Sequence, residues 1–143
     1  MKEKEDDNLK ESDLWRRINL IQKTEPTWHL VRIESNTING IPDVNGIIDG
    51  KDFWLELKAN DAKNVGLSKY QVNFHLKRRR LGGRCSILNA SPTHKGLELL
   101  EIREPGVPFP VSRFPFSKTG IRLALISAAG QARAASGVKS RPV

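Results

Sequence analysis

The sequence predicts an α/β domain, with a central sheet built around an antiparallel hairpin and helices flanking it. Three observations point there. Val44 to Ile48 and Lys51 to Lys58 are β-prone runs joined by Asp49-Gly50, a dipeptide suited to the two positive-φ positions of a type I′ turn. Ser68 can cap a helical run from about Lys69 to Leu81, which Gly82-Gly83 closes. Ahead of the hairpin, Leu14, Trp15, Ile18 and Ile21 recur at helical spacing.

In chain order, residues 1–11 read as a flexible acidic lead-in, and Ser12 or Asp13 as the cap of the first helix. The Glu25-Pro26-Thr27-Trp28 stretch breaks that helix, because proline disfavours a helical residue before it. His29 to Glu34 alternates like a half-buried strand, and Ser35 to Gly40 is a loop. After the hairpin, residues 59–66 form a polar loop. On the next helix, Leu67, Tyr70, Phe74 and Leu81 line one side and Val72 and Leu76 lie roughly opposite, so it should be gripped on two sides with its basic end exposed. Arg84 to Ala90 reads as a strand. Gly96 to Arg103 fits a strand or a short helix, with strand preferred. Residues 105–116 hold four prolines in 12 residues and are expected to be packed but irregular. Ile121 to Ala135 is Ala-rich with helical spacing, and a loose basic tail follows. The expected organisation is the lead-in, a core over 12–104, and a Pro-containing basic extension over 105–143.

With 143 residues, 38% hydrophobic and 28% charged, the chain suits one globular domain. No apolar run approaches the roughly 18 residues of a membrane span, and the polar N-terminus does not resemble a signal peptide. The lone Cys85 cannot form an internal disulfide, which favours a reducing, cytoplasmic setting. The net charge of +8 is unevenly spread. Six acids and three lysines crowd the first 13 residues, whereas no Asp or Glu follows Glu104. Lys77-Arg78-Arg79-Arg80 lies between, with Arg84 close behind. Such a chain attracts polyanions, nucleic acid foremost, although a basic solvated surface has the same composition. No GxxxxGK[ST] phosphate loop is present and no small-molecule cofactor is expected. His29, His75, His94 and Cys85 lack zinc-ligand spacing. His75 is expected to be solvated on its basic helix.

The hairpin register carries the chemistry. A two-residue turn at Asp49-Gly50 makes Ile48 face Lys51, and counting back puts Asp43 directly opposite Glu56. Directly opposed Cβ atoms lie about 4.5–5.5 Å apart. Lys58 falls on the same face about 7 Å further along, while Phe53, Leu55 and Leu57 turn to the other face with Val44 and Ile48. Two carboxylates about 5 Å apart repel by roughly 3 kcal/mol at an effective dielectric near 20. Lys58 offsets part of that, and a hard divalent cation such as Mg²⁺ would remove the remainder. The alternative is a surface salt-bridge cluster of the same three residues.

These residues resemble a known family. Pro42-Asp43 followed by Glu56-Leu57-Lys58 matches the PD-(D/E)xK signature of metal-dependent nucleases, with a Gly40-Ile41 lead and a following helix that opens Ser68-Lys69-Tyr70-Gln71. The stretch from about His29 to Ala90 resembles the small VRR-NUC nucleases, including those of bacteriophages, and more distantly the archaeal Holliday-junction resolvases. The resemblance implies a restriction-endonuclease-like core with a mixed sheet and a Mg²⁺- or Mn²⁺-dependent activity. Asp43, Glu56 and the Leu57 carbonyl would hold the metal, Lys58 would be the catalytic lysine, and Gln71 the helix glutamine facing the site. The family's upstream acid is assigned to Glu34, with Glu11 as the competitor. Lys69, Lys77, Arg78, Arg79, Arg80 and Arg84 would follow the DNA backbone.

The expected function is therefore structure-selective DNA cleavage in phage or bacterial recombination, replication or repair, in the host cytoplasm if phage-encoded. Holliday-junction resolution would require a homodimer. The competing functions are a non-catalytic basic DNA-binding protein and a domain that binds an acidic protein partner through its tail.

Overall fold

The computed structural model describes residues 9–34 and 38–130. The acidic lead-in up to residue 8, loop residues 35–37, and the helix end and basic tail over 131–143 lie outside the described residues. The elements run α1 (Glu11–Gln22), β1 (Trp28–Arg32), β2 (Val44–Ile48), β3 (Lys51–Lys58), a 3₁₀ turn (Lys63–Gly66), α2 (Lys69–Arg80), β4 (Cys85–Ser91), β5 (Gly96–Arg103), β6 (Val107–Pro115) and α3 (Lys118–Gly130).

The strands form one six-stranded sheet in sequential order. All neighbours are antiparallel except β3 and β4, which run parallel across the α2 connection. The sheet is therefore mixed and contains the antiparallel hairpin, with helices flanking it, as the sequence predicts. Within the hairpin Ile48 pairs with Lys51 and Val44 with Leu55. The turn residues Asp49 (φ 51°) and Gly50 (φ 81°) are both left-handed, which gives the two strands the twist they need to pair.

The sheet is covered on both faces. On one, Phe53, Leu55 and Leu57 pack with Leu14, Ile18 and Ile21 of α1 and with Ile121, Ala124, Leu125 and Ala128 of α3. Each such fully buried aliphatic side chain contributes about 1.5–3 kcal/mol. On the other face Val72 and Leu76 of α2 meet Ile87, Leu100 and Ile102.

Several local expectations need correction. Helix α1 begins at Glu11 rather than after Ser12 or Asp13, because the Asp13 carboxylate accepts from the Lys10 N–H (3.0 Å) from within the first turn. Strand β1 ends at Arg32, leaving Glu34 beyond it. Helix α2 is gripped unevenly: His75 and Leu76 are buried, Leu67 and Phe74 are partly covered, Phe74 by Trp54, whereas Tyr70 is 49% and Leu81 77% exposed. Its 72/76 side fills the space over β4 and β5, so the Tyr70 side is left at the surface. His75 is fully buried rather than solvated. The proline-rich stretch is the edge strand β6 rather than irregular chain, with Pro108, Pro110 and Pro115 paired to β5 around a bulge at Leu99/Leu100. An outermost strand tolerates proline because the missing N–H can face solvent. Helix α3 shares the core of 12–104. Among the described residues no helix is long and apolar enough to cross a membrane.

Candidate functional site

The site lies where β2, β3 and the start of α2 converge. Asp43 sits one residue before β2, and the Ile33 N–H donates to its main-chain carbonyl (2.6 Å). One carboxylate oxygen, Oδ2, accepts from the Leu57 N–H at 2.9 Å. Continuing the register one residue past the Val44–Leu55 pair puts Asp43 opposite Glu56, on the face that α2 partly covers. Glu56 is buried, and its Oε2 accepts from Gln71 Nε2 at 2.8 Å. Its other oxygen, Oε1, is buried with no hydrogen-bond partner. An unsatisfied buried carboxylate oxygen costs several kcal/mol unless a proton or cation meets it.

Burial first, and the Asp43 carboxylate second, push the Glu56 carboxyl up to about 9, with Lys58 pulling the other way. With its carboxyl raised that far, Glu56 retains its proton near neutral pH. Lys58 lies beyond Glu56 on the same strand face, and its Nζ donates to the Gly66 carbonyl at 3.4 Å.

Gln71 is held at both ends of its amide. Its Oε1 accepts from the Ser68 N–H (2.8 Å), Ser68 Oγ accepts from the Gln71 N–H (3.2 Å), and the amide nitrogen reaches Glu56. The capping box that starts α2 therefore also aims a donor at the buried carboxyl. The sequence reading has Ser68 as the cap and Gln71 as the helix glutamine, but not the reciprocal bond between them that the Ser68-x-x-Gln71 spacing signals. Gly40 (φ +84°) brings the loop before Asp43 against the same turn of helix; a Cβ there would lie 2.3 Å from the Tyr70 carbonyl oxygen.

The two upstream acids are placed differently. Glu11, the first residue of α1, interacts electrostatically with Lys58, Asp43 and Arg32; burial raises its carboxyl, Lys58 and Arg32 lower it, and Asp43 raises it. Glu56 also feels Glu11. Glu34 is exposed past the end of β1 and contributes to neither balance.

The basic residues divide. Lys69, Lys77, Arg78 and Arg80 are exposed. Arg79 turns inward onto buried Glu101 (2.5 Å), and Arg80 forks onto Glu104 with bonds of 2.7 and 3.0 Å. The Arg78 guanidinium lies 5.2 Å from the Trp54 ring centre and 4.8 Å from that of Phe74. The Arg84 carbonyl accepts from the Trp54 N–H (2.9 Å). His75 is buried with neither ring nitrogen partnered, and burial followed by the Arg79 charge pushes its imidazole down to about 4.

The groups able to hold a hard cation here are the Asp43 and Glu56 carboxylates and the Leu57 main chain. Among the described residues no group of three or more His, Cys, Asp and Glu side chains is arranged to hold a metal. The buried, unsatisfied Glu56 Oε1 beside a second carboxylate fits a divalent cation that keeps water or phosphate oxygens in the rest of its shell.

No protein-family model matches the sequence, and no curated protein matches it. Among solved structures the chain is similar to Hjc of Archaeoglobus fulgidus, a Holliday junction resolvase from an archaeal hyperthermophile. The TM-score is 0.44 at 12% identity, covering 68% of this chain and 84% of that one.

Proposed function

We propose that this protein is a divalent-metal-dependent DNA endonuclease. The observation that carries the reading is the Asp43–Glu56 pair, one of whose carboxyls is buried with an unsatisfied oxygen while Lys58 stands on the same face. Such a pair is costly for a salt-bridge cluster to keep, since burial without full pairing is destabilising. Asp43 and Glu56 would hold Mg²⁺ or Mn²⁺, with the Leu57 carbonyl as a third donor. In a strand the N–H and C=O of one residue point to the same edge, and the Leu57 N–H already points to Asp43. A cation held there supplies positive charge that polarises a phosphodiester and lowers the pKa of water.

Each protein group has a distinct task. Gln71 holds Glu56 in one rotamer through a donor that is itself braced by Ser68. Asp43 is oriented by the Leu57 N–H. The Lys58 ammonium can stabilise the extra charge on the reacting phosphate and orient water by hydrogen bonding. Of the two upstream acids, Glu11 is the better supported third carboxylate, because it shares the field of Asp43 and Lys58. Lys69, Lys77, Arg78, Arg80 and Arg84 would track the phosphates; Arg79 is engaged with Glu101.

The test is incubation of branched, nicked, single-stranded and linear duplex DNA with Mg²⁺ or Mn²⁺. Wild type should cut at least one of them, and Glu56→Gln and Lys58→Met should not. No cleavage of any substrate, or full activity in both variants, overturns the reading. A second reading, a non-catalytic DNA-binding protein, is favoured by the exposed Lys69, Lys77 and Arg78 beside a site where, among the described residues, no three-ligand cluster is arranged. That reading predicts salt-sensitive binding that metal leaves unchanged.

A further inference from the structure

Helix α2 packs over β4 and β5, so among the described residues no helix lies above the same face of β1 and β2. Val31, Asn45 and Trp54 stand side by side across three strands there, in the row next to Asp43 and Glu56. Ile47 follows in the row beyond. Val31 and Ile47 are 41% and 42% exposed, which is high for β-branched residues on a sheet. The wall on the α2 side is Phe74, in edge contact with Trp54 at 5.7 Å between ring centres, and Arg78, whose guanidinium lies over both rings.

We infer that this trough is a stacking platform for an unpaired nucleobase of the DNA strand being cut, seated one nucleotide from the scissile phosphate. The inference rests on the nuclease reading and adds a substrate class to it: DNA that offers unpaired nucleotides beside the cut, as branched, flapped and single-stranded DNA do. The floor combines Val31, Ile47 and the Trp54 ring with the amide of Asn45, which donates to Asp52 at 3.3 Å, and Asp52, paired with Ile47, would repel a phosphate. It therefore suits the faces of bases rather than the backbone. The rim cation Arg78, in a chain of net charge +8, suits the phosphates on either side. Trp54 and Glu56 are two residues apart on one strand face, about 7 Å, within reach of a single nucleotide. An intact duplex keeps its bases stacked inside and cannot present one to this floor.

The full chain is tested in EDTA, which withholds the divalent metal that the nuclease reading requires. Oligonucleotides carry 2-aminopurine either in a single-stranded segment or within a blunt duplex. Wild type should bind the single-stranded form at least tenfold more tightly and quench its fluorescence, the size expected of one base–aromatic stack. Trp54→Leu should lose most of that preference and quenching, and Trp54→Phe should restore it. Because Trp54→Leu can disturb folding, ultraviolet crosslinking of the wild-type protein to the single-stranded oligonucleotide gives an independent measurement, with Trp54 or Phe74 as the expected site. Cleavage in Mg²⁺ or Mn²⁺ with neither quenching nor a crosslink at these rings overturns the platform and leaves the nuclease reading standing. Quenching and crosslinking without cleavage of any DNA support the platform and overturn the nuclease reading.

Discussion

Replacing Glu56 with glutamine should stabilise the protein in the presence of a chelator. An unfolded chain ionises this glutamate near its ordinary value of 4.5, whereas the folded protein retains the proton up to about 9. Below pH 4.5 both states are protonated and the difference is nil. Above it the unfolded chain has released a proton that the folded one still binds, so folding stability falls by about 1.4 kcal/mol per pH unit. By pH 7 this cost reaches about 3 kcal/mol. Glutamine has the same shape and no charge, and its carbonyl can still accept from Gln71. For a domain of this size the gain is about 10 °C in Tm. Thermal and urea unfolding in EDTA at pH 5, 7 and 8 would read it, with the gap between variant and wild type widening as pH rises. Mg²⁺ should raise the stability of wild type, because a ligand that binds only the folded state stabilises it, and leave Glu56→Gln unchanged. A variant no more stable than wild type at pH 8, or a gap independent of pH, refutes the reasoning.

Further outcomes follow from the same geometry. The unfolded chain protonates His75 near 6.5 but the fold resists to about 4, so this group's contribution is lost as pH falls between those values. Urea unfolding should show His75→Leu gaining about 3 kcal/mol on wild type from pH 7 to pH 4; a constant difference would exclude a buried neutral imidazole. Gly40→Ala should cost about 2–3 kcal/mol and impair cleavage, because the new Cβ meets the Tyr70 carbonyl and the backbone φ is positive. Gly50→Ala, with open space around it, should cost about 1 kcal/mol and leave cleavage intact. Arg79→Ala should destabilise by about 1.5–3 kcal/mol in urea unfolding by removing the closer of two ion pairs on buried Glu101, which keeps Arg103 at 3.5 Å. Lys77→Ala should leave stability alone and lower the salt dependence of DNA binding by about one phosphate contact, read from binding isotherms at several salt concentrations.

Short-range patterns foretold a good part of this protein. Asp49-Gly50 permits one tight turn, that turn permits one register, and the register makes Asp43 face Glu56. Ser68 and the paired glycines bounded α2 in the same local way. Proline in β6 misled because its tolerance depends on whether the strand is outermost, which no window of sequence reports. His75 and Arg79 looked like neighbours in one solvated basic run. Only the packing of α2 over β4 and β5 turned one into the core and the other onto Glu101. Where Glu11 and Glu34 lie also depended on tertiary structure, since α1 is held across the sheet by Leu14, Ile18 and Ile21 and its first residue thereby enters the field of Lys58. Sequence alone determined what turns and periodicity control, the hairpin and its opposed acids. Burial, proton affinity and the partner of each charge were decided by the assembled layers, because those quantities are set by distances between residues far apart in the chain.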